Sequence, residues 1–237
     1  ESVTGGPMSS FKQFAIRQER CAMKVGTDGV LLGAWAPECI AGGRILDIGT
    51  GTGVMAIMAA QRNPSARIVG VEIDEMSALQ ARENAEASPW ADRVEIVNAD
   101  IRSYEAAAPF DLVISNPPYF VDSLKSPDSG RTTARHTVSL DFGELMSAVE
   151  RLLAPDGLFA VIVPAEAASM VVASGRLALR RRCDVRSKPS AGPIRTMMEF
   201  AAGYCGAPEF SELTIGDGKG GYTAEYVALT RDFYLKF

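Results

Sequence analysis

The stretch Asp47-Ile48-Gly49-Thr50-Gly51-Thr52-Gly53 decides the fold of this 237-residue chain. It includes the end of a short apolar run, Arg44–Ile48, and precedes a second apolar segment, Val54–Gln61, which has the length of a short helix. A buried strand, a glycine-rich turn and a helix in this order are typical of the first unit of a parallel sheet wound by helices. The glycines predict a turn at which the backbone can approach a ligand closely.

The same alternation continues to the end of the chain. It predicts an α/β fold: a doubly wound, mostly parallel seven-stranded sheet with an antiparallel C-terminal hairpin at its edge. Residues 11–237 are predicted to form one domain, in which an extension, residues 11–43, folds over the ligand site, whereas residues 1–10 form a terminal segment. The predicted elements are strands Arg44–Ile48, Arg67–Val71, Val94–Val97, Asp111–Ser115, Gly157–Val163, Cys183–Lys188 and Thr196–Tyr204, and helices Val54–Gln61, Glu75–Ala87, Asp141–Leu153, Ala165–Leu179 and Thr223–Phe233.

Composition excludes several classes of protein. An apolar fraction of 47% and a charged fraction of 22% are ordinary for a globular protein. The sequence has neither a membrane-length apolar run nor a basic and apolar leader, so we expect a cytoplasmic protein without a membrane partner. Four scattered cysteines and the single His136 predict no metal site. Because the formal net charge is −5, a nucleic-acid partner requires a local basic patch.

The glycine-rich turn favours a cofactor without phosphate. Dinucleotide sites use the spacing G-x-G-x-x-G, whereas this turn has G-x-G-x-G preceded by Asp47. A carboxylate suits the ammonium group of a sulfonium cofactor, S-adenosylmethionine, better than it suits a pyrophosphate. Glu72, at the end of the next strand, is placed to accept hydrogen bonds from the ribose hydroxyls. Asp100, after the third strand, is placed to accept from the cofactor's adenine amino group.

The segment Asn116-Pro117-Pro118-Tyr119 ends the fourth strand, because neither proline can donate to a sheet ladder. An amino group conjugated to a ring is a weak nucleophile, so a catalyst must hold its hydrogens and expose the nitrogen. The Asn116 side-chain oxygen and the Pro117 carbonyl can each accept one hydrogen, and Tyr119 can stack on the ring. The sequence therefore predicts methylation of a planar nitrogen, with these three residues as the catalytic group.

These motifs, in this order, resemble the class I amino-methyltransferases, which act on base or glutamine nitrogens. A narrower resemblance runs nearly end to end. It is to the bacterial tRNA adenine-N6-methyltransferases that modify adenine 37, beside the anticodon of valine tRNA. The segments that carry it are Phe11–Phe14, Cys21–Gly29, Leu31–Trp35, Ser88–Ala91 and Glu225–Tyr234.

This resemblance implies tRNA as the substrate and S-adenosylmethionine as the cofactor. It also implies that Gly26, Thr27 and Asp28 lie near the methionine end of the cofactor and that Lys24 lies near the mouth of the site. From the residues alone, Asp28 could equally cap a helix that begins here. The complete set of expected cofactor residues is Lys24, Gly26, Thr27, Asp47, Gly49, Gly51, Gly53, Glu72, Asp100, Ile101 and Asn116.

Basic residues concentrate between Arg176 and Lys188, on a predicted edge strand and its approach. We expect Arg180 and Arg182 to contact RNA phosphates there. Lys125, Arg131 and Arg135, in a predicted irregular loop over residues 121–138, are further candidates for RNA contact.

Three alternatives remain open from the sequence. The same chemistry could serve a protein glutamine or another base, because the Asn-Pro-Pro-Tyr motif does not distinguish planar nitrogens. A non-catalytic RNA-binding module could retain the fold. A nicotinamide dehydrogenase is the weakest alternative, because its glycine spacing differs.

Overall fold

A computed structural model describes residues 6–118 and 140–237 of the chain. Four predicted site residues, Tyr119, Lys125, Arg131 and Arg135, and the predicted loop over residues 121–138 lie outside the described residues. Their predicted roles stay predictions. None of the helices in the two described ranges is long and apolar enough to cross a membrane.

The chain begins with a small hairpin and a helix, and then alternates strands with helices. The hairpin is β1 (Met8–Ser10) with β2 (Ala15–Arg17), and the helix is α1 (Thr27–Trp35). The following elements are β3 (Arg44–Ile48), α2 (Val54–Arg62), β4 (Arg67–Glu72), α3 (Glu75–Ala87), β5 (Val94–Asn98), β6 (Phe110–Ser115), α4 (Phe142–Leu152), β7 (Leu153–Pro164), α5 (Ala168–Ala173), β8 (Ala178–Arg186), β9 (Pro193–Ala201), β10 (Glu209–Thr214) and α6 (Ala224–Thr230).

The large sheet has the order β10-β8-β9-β7-β6-β3-β4-β5 and is mostly parallel. Among the eight described strands of this sheet, only β9 runs antiparallel, against both β7 and β8. The predicted α/β class and the β8–β9 hairpin are therefore confirmed. The prediction of seven strands with this hairpin at the edge is wrong within the described chain, because β10 adds an eighth strand beside β8. Glu209–Thr214 is mostly exposed and polar, so it lacks the apolar signal of a strand.

Two predicted helices are too long. Of the predicted helix Ala165–Leu179, only a 3-10 turn and the short α5 form, and β8 begins at Ala178. Gly175 lies so close to α4 that a Cβ there would be 2.9 Å from the Met146 and Glu150 side chains. The terminal helix begins directly after its N-cap residue, Thr223, close to the predicted start. It ends at Thr230 rather than at Phe233.

Apolar residues pack on both faces of the sheet. On β3, Ile45 faces one cluster, with α1, α2 and α6, whereas Leu46 faces the other, with α4 and α5. Burial on both faces explains why this strand reads as a continuous apolar run. The carboxyl ends of β3, β4, β5 and β6 meet at one edge of the sheet, where open α/β folds bind their ligands.

Candidate cofactor and substrate site

A cavity of about 420 Å³ opens at the carboxyl edge of the central strands. This volume lies in the range of small-molecule sites, about 300–1,000 Å³. Its walls come from the glycine-rich turn, the ends of β4, β5 and β6, and the segment before α1. Of the predicted site residues, the cavity brings together Lys24, Gly26, Gly49, Gly51, Glu72, Asp100, Ile101, Asn116 and Pro117.

The glycine-rich turn gives the cavity an open floor. Gly49 and Gly51 have φ angles of 69° and 55°, a left-handed conformation that favours glycine. A Cβ at either position would have no atom within 4 Å, so both residues face open space. A side chain there would project into this space, which makes the turn a cradle for a ligand.

The backbone of this turn is not arranged to bind phosphate. The Gly49 and Thr50 N–H groups donate to Val71 O, at 2.9 and 3.0 Å. The Gly51 N–H donates to Glu72 Oε1 at 2.9 Å. A phosphate site needs unpaired N–H groups directed at the anion. The turn therefore fits a cofactor without phosphate and disfavours a dinucleotide.

Glu72 joins the glycine-rich turn to the end of β4. Besides the bond from Gly51, its Oε2 accepts from Asp74 N at 3.0 Å. A carboxylate oxygen has two lone pairs, so each oxygen keeps one acceptor position. Glu72 also lines the cavity. Its arrangement fits the predicted binding of two ribose hydroxyls.

Asp47 lies beneath the glycine-rich turn rather than on the cavity wall. It is fully buried, and Thr50 Oγ1 donates to its Oδ2 at 2.6 Å. Burial raises the pKa of the Asp47 carboxyl to about 7, an effect that the Thr50 hydrogen bond opposes and the Glu72 charge reinforces. Asp47 therefore does not line the cavity, although its Oδ1 has no hydrogen-bond partner among the described residues. The predicted contact with the ammonium group of the cofactor stays a prediction.

Thr27 and Gly53 are also absent from the cavity wall. Thr27 is the first residue of α1 and is exposed. Gly53 precedes α2 with a φ of 85°, and a Cβ there would lie 3.4 Å from Ala81. It therefore permits close packing of the turn on α3. The predicted contacts of Thr27 and Gly53 with the cofactor stay predictions.

Asp100 lies on the wall with both carboxylate oxygens already engaged. Its Oδ2 accepts from Arg102 Nη2 at 2.7 Å and its Oδ1 accepts from Arg102 N at 3.0 Å. The Arg102 guanidinium holds the pKa of Asp100 below its usual value. An adenine amino group would share this carboxylate with Arg102, another cavity residue, which the sequence interpretation missed.

The Asn-Pro-Pro segment closes the side of the cavity beyond β6. Pro117 is buried and Asn116 is half-buried, and both line the cavity. Ser115, directly before them, donates from Oγ to Ile48 O at 3.0 Å and so ties the ends of β6 and β3 together. Gly29 of α1 lies beside Asn116, since a Cβ there would be 3.9 Å from Asn116 Nδ2.

Helix α3 holds the N-terminal segment that forms the opposite wall. Three side chains on one face, Ser77, Gln80 and Asn84, are each at most 3% exposed. Asn84 Oδ1 accepts from Arg17 N at 2.8 Å, and Gln80 Oε1 accepts from Arg20 N at 2.7 Å. The sequence interpretation missed this contact, although polar residues at helical spacing on an otherwise apolar face were its signal.

Gln18 fixes the chain between this contact and the cavity. Its side chain is fully buried, and its Oε1 accepts from Val25 N at 2.8 Å. Lys24 Nζ donates to Gln18 O. Lys24 is therefore held at the wall of the cavity, consistent with its predicted position at the mouth.

Asp28 forms an ion pair instead of capping a helix. The residue before α1 is Gly26, and no side chain caps the helix. Arg195 Nε, on β9, donates to Asp28 Oδ2 at 2.7 Å. The capping interpretation of Asp28 is wrong, because its carboxylate faces Arg195 rather than the helix N-terminus.

Arg180 and Arg182 have acidic partners on the sheet. Arg180 Nη1 lies 3.1 Å from Oε2 of the buried Glu199, and Arg182 Nη2 lies 3.1 Å from Asp184 Oδ1. Their strand, β8, was predicted to be an edge strand. This prediction is wrong, because β10 pairs with β8 on its outer side. Paired arginines at this position are poor candidates for phosphate contacts.

Comparison with known proteins identifies the family. The profile of the methyltransferase small domain matches residues 25–163. The chain belongs to this methyltransferase family. It is 47% identical to the tRNA1(Val) (adenine(37)-N6)-methyltransferase of Phocaeicola vulgatus, over 97% of this chain and 98% of the relative. Identity is 46% to the protein of that name from Aeromonas hydrophila, over 96% of this chain and 97% of the relative.

Solved structures share the fold. A protein described as a predicted O-methyltransferase, Atu636 from Agrobacterium tumefaciens, matches with a TM-score of 0.70 and 20% identity, over 87% of this chain and 96% of its own. TrmN from Thermus thermophilus matches with a TM-score of 0.50 and 20% identity, over 68% of this chain and 44% of its own. The class I methyltransferase fold, the methyltransferase activity and the cofactor S-adenosylmethionine are thereby confirmed.

Proposed function

We propose that this methyltransferase transfers a methyl group to the N6 amino group of adenine 37 in tRNA1(Val). Its relatives with this name match nearly the whole chain and not only the cofactor domain. The match therefore includes the N-terminal segment and the strands beyond β7, where the proposed substrate would be recognised. The proposed substrate also implies that the enzyme works in the cytoplasm.

The observation that carries the proposal is the shared cavity of Glu72 and the Asn116-Pro117 pair. Glu72 and the glycine-rich turn would hold the cofactor, and Asn116 and Pro117 would hold the group that accepts the methyl. A site that binds donor and acceptor in one cavity can align them for direct transfer, which is a large part of the catalytic advantage.

S-adenosylmethionine supplies an electrophilic methyl group when it is bound. The Asn116 side-chain oxygen and the Pro117 carbonyl each accept one hydrogen of the target amino group, so its nitrogen lone pair turns toward the donor. The transfer would form the N–C bond as the methyl–sulfur bond breaks, and the extra amino proton would then leave to water. No general base is needed before attack, because the proton becomes acidic only once the methyl has arrived.

An anticodon loop suits this site because its bases are accessible. A base must leave its stack before its amino group can enter the cavity of the protein. This unstacking costs less free energy in a single-stranded loop than in a duplex. Adenine 37 is such a base. A glutamine side chain has the same planar nitrogen, so it remains the alternative that an experiment must distinguish.

The decisive assay incubates the protein with labelled S-adenosylmethionine and total tRNA from cells that lack this modification. We expect label in the tRNA and N6-methyladenosine as the labelled nucleoside after digestion. A parallel reaction with an extract freed of RNA tests protein glutamine. Label confined to protein, or a different methylated nucleoside, would refute the proposed substrate.

A further inference from the structure

We propose that two neighbouring turns at the carboxyl edge of the sheet bind the phosphate backbone of the RNA substrate. The first turn, residues 187–192, joins β8 to β9, and the second, residues 216–222, joins β10 to α6. We call them together the paired turns. This inference rests on the proposed function, because it names where the tRNA outside the target base would contact the protein.

The two turns are packed against each other. Gly216 N donates to Ser187 O at 2.9 Å, and Ile215 N donates to Arg186 O at the same distance. A Cβ on Gly218 would lie 3.7 Å from Pro189 Cδ, which is ordinary contact. The paired turns therefore form one surface rather than two independent loops.

This surface presents two unpaired positive charges. Lys188 and Lys219 are exposed, and neither forms an ion pair with any residue in ranges 6–118 and 140–237. The acid nearest to Lys219 in sequence, Asp217, holds the turn, since its Oδ1 accepts from Lys219 N at 2.6 Å and from Gly221 N at 3.1 Å. Exposed lysines of this kind can bind phosphate oxygens and displace counterions.

An aromatic ring, Tyr222, belongs to the same turn as Lys219. Tyr222 is 49% exposed, and its ring centroid is 5.2 Å from that of Tyr226, which is buried. Packing against Tyr226 orders the ring, while its exposed part is available to an unstacked base. Lysines with an adjacent aromatic ring are the combination that proteins use to bind single-stranded nucleic acid.

The paired turns are on the same side of the molecule as Asn116. Strands β6, β8 and β10 run in the same direction, so the residues that follow them emerge at one edge. β8 lies three strands from β6, or about 15 Å at the usual strand spacing. Arg195, which forms the ion pair with Asp28, is on β9, the strand between β8 and β7. A few nucleotides of RNA can span this distance.

Arg180 and Arg182 provide the contrast. They lie within β8, before its carboxyl end, and each is paired with a carboxylate of the sheet. A paired arginine must give up its partner before it can bind a phosphate, whereas Lys188 and Lys219 have no ion-pair partner in the part of the chain that the structure describes. A double substitution at either location removes two positive charges. The arginine variant is therefore a matched control for the lysine variant.

The experiment compares binding of a tRNA1(Val) transcript by wild type, Lys188→Ala/Lys219→Ala and Arg180→Gln/Arg182→Gln over a series of salt concentrations. We expect the lysine variant to lower the slope of log affinity against log salt by about two, one unit for each lost contact. The arginine variant should keep the wild-type slope. Equal slopes for wild type and the lysine variant would overturn the inference.

Two controls separate this inference from the proposed function. Calorimetry with S-adenosylmethionine verifies that each variant still binds the cofactor and is folded. Methylation of the same transcript by the wild type tests the function itself. Methylation by the wild type, together with an unchanged slope for the lysine variant, would refute only the paired turns. Absence of methylation by the wild type would refute the proposed function.

Discussion

Asn84 connects the N-terminal segment to the glycine-rich turn, because its Nδ2 donates to both Arg17 O and Thr52 O at 2.8 Å. The side chain is 2% exposed and thus excluded from water. One helical side chain therefore sets the relative position of two walls of the cofactor cavity.

Replacement of Asn84 by alanine should weaken cofactor binding although Asn84 does not line the cavity. The change removes these two donor bonds and the bond that Arg17 N donates to Asn84 Oδ1. It leaves the buried Thr52 carbonyl without its side-chain donor, which costs about 1–3 kcal/mol. We expect the dissociation constant for S-adenosylmethionine to rise about tenfold, equivalent to about 1.4 kcal/mol. Calorimetry measures it, and urea unfolding gives the loss of stability.

Glu83→Ala is the matched control for Asn84. Glu83 precedes Asn84 on the same helix and also holds the N-terminal segment, by an ion pair of 2.8 Å with Arg20. This pair is at the surface, where an ion pair contributes at most about 1 kcal/mol. Its loss should leave cofactor affinity nearly unchanged. Equal effects of the two substitutions would contradict the role given to Asn84.

Glu72→Ala should reduce cofactor affinity more strongly than any change at Asp47. Glu72 lines the cavity, and a hydrogen bond to a charged group contributes about 1.5–3 kcal/mol. The substitution also removes the acceptor of the Gly51 N–H group. Turnover at saturating cofactor should change little. A dissociation constant equal to that of the wild type would exclude Glu72 from the binding site.

Asn116→Ala should preserve cofactor binding and abolish most turnover. The lost oxygen acts on the target amino group, and removal of one such hydrogen-bond partner of a transition state typically costs about 10²–10³ in rate constant. Single-turnover methylation measures the rate constant, and calorimetry measures cofactor affinity. If affinity fell while the rate constant stayed the same, Asn116 would belong to the cofactor site instead.

The buried Asp47 should make stability fall as the pH rises. Its pKa of about 7 lies above the ordinary value of 3.8, so the folded protein binds this proton more tightly than the unfolded chain does. The folded state is thus penalised progressively from about pH 4 to pH 7, by on the order of 4 kcal/mol in total. Below pH 4, where both states are protonated, the penalty vanishes.

Asp47→Asn provides the test, because asparagine cannot ionise. We expect the stability of the variant relative to the wild type to increase from about pH 4 to pH 7 and then to level off, measured by urea unfolding at each pH. A difference that does not depend on pH would mean that the carboxyl has the same pKa in both states.

Local sequence signals predicted the central part of the fold well. The apolar run predicted the buried strand β3, the glycine-rich turn predicted the ligand-side turn after it, and the prolines predicted the end of β6. The structure contains all three. β10 was missed because this edge strand is mostly exposed and buries only Leu213, so it lacks an apolar run. The end of α5 was missed because it depends on how closely Gly175 approaches another helix, which is a tertiary contact.

The site was predicted where a residue's role follows from its place at a strand end, as for Glu72 and Asn116. The burial of Asp47 beneath the turn was not predicted, because sequence does not reveal that the residue before a turn points into the core. The contacts of Asn84 and Gln18 join residues that are far apart along the chain. No local pattern can specify such partners.

The most direct test of the central claim uses a transcript of the tRNA1(Val) anticodon arm and a second transcript in which guanine replaces adenine 37. Incubation with labelled S-adenosylmethionine, followed by nucleoside analysis, measures both the site and the product. We predict close to one N6-methyladenosine per molecule of the adenine transcript and none in the guanine transcript. Equal labelling of both transcripts, or no labelling of either, would contradict the account.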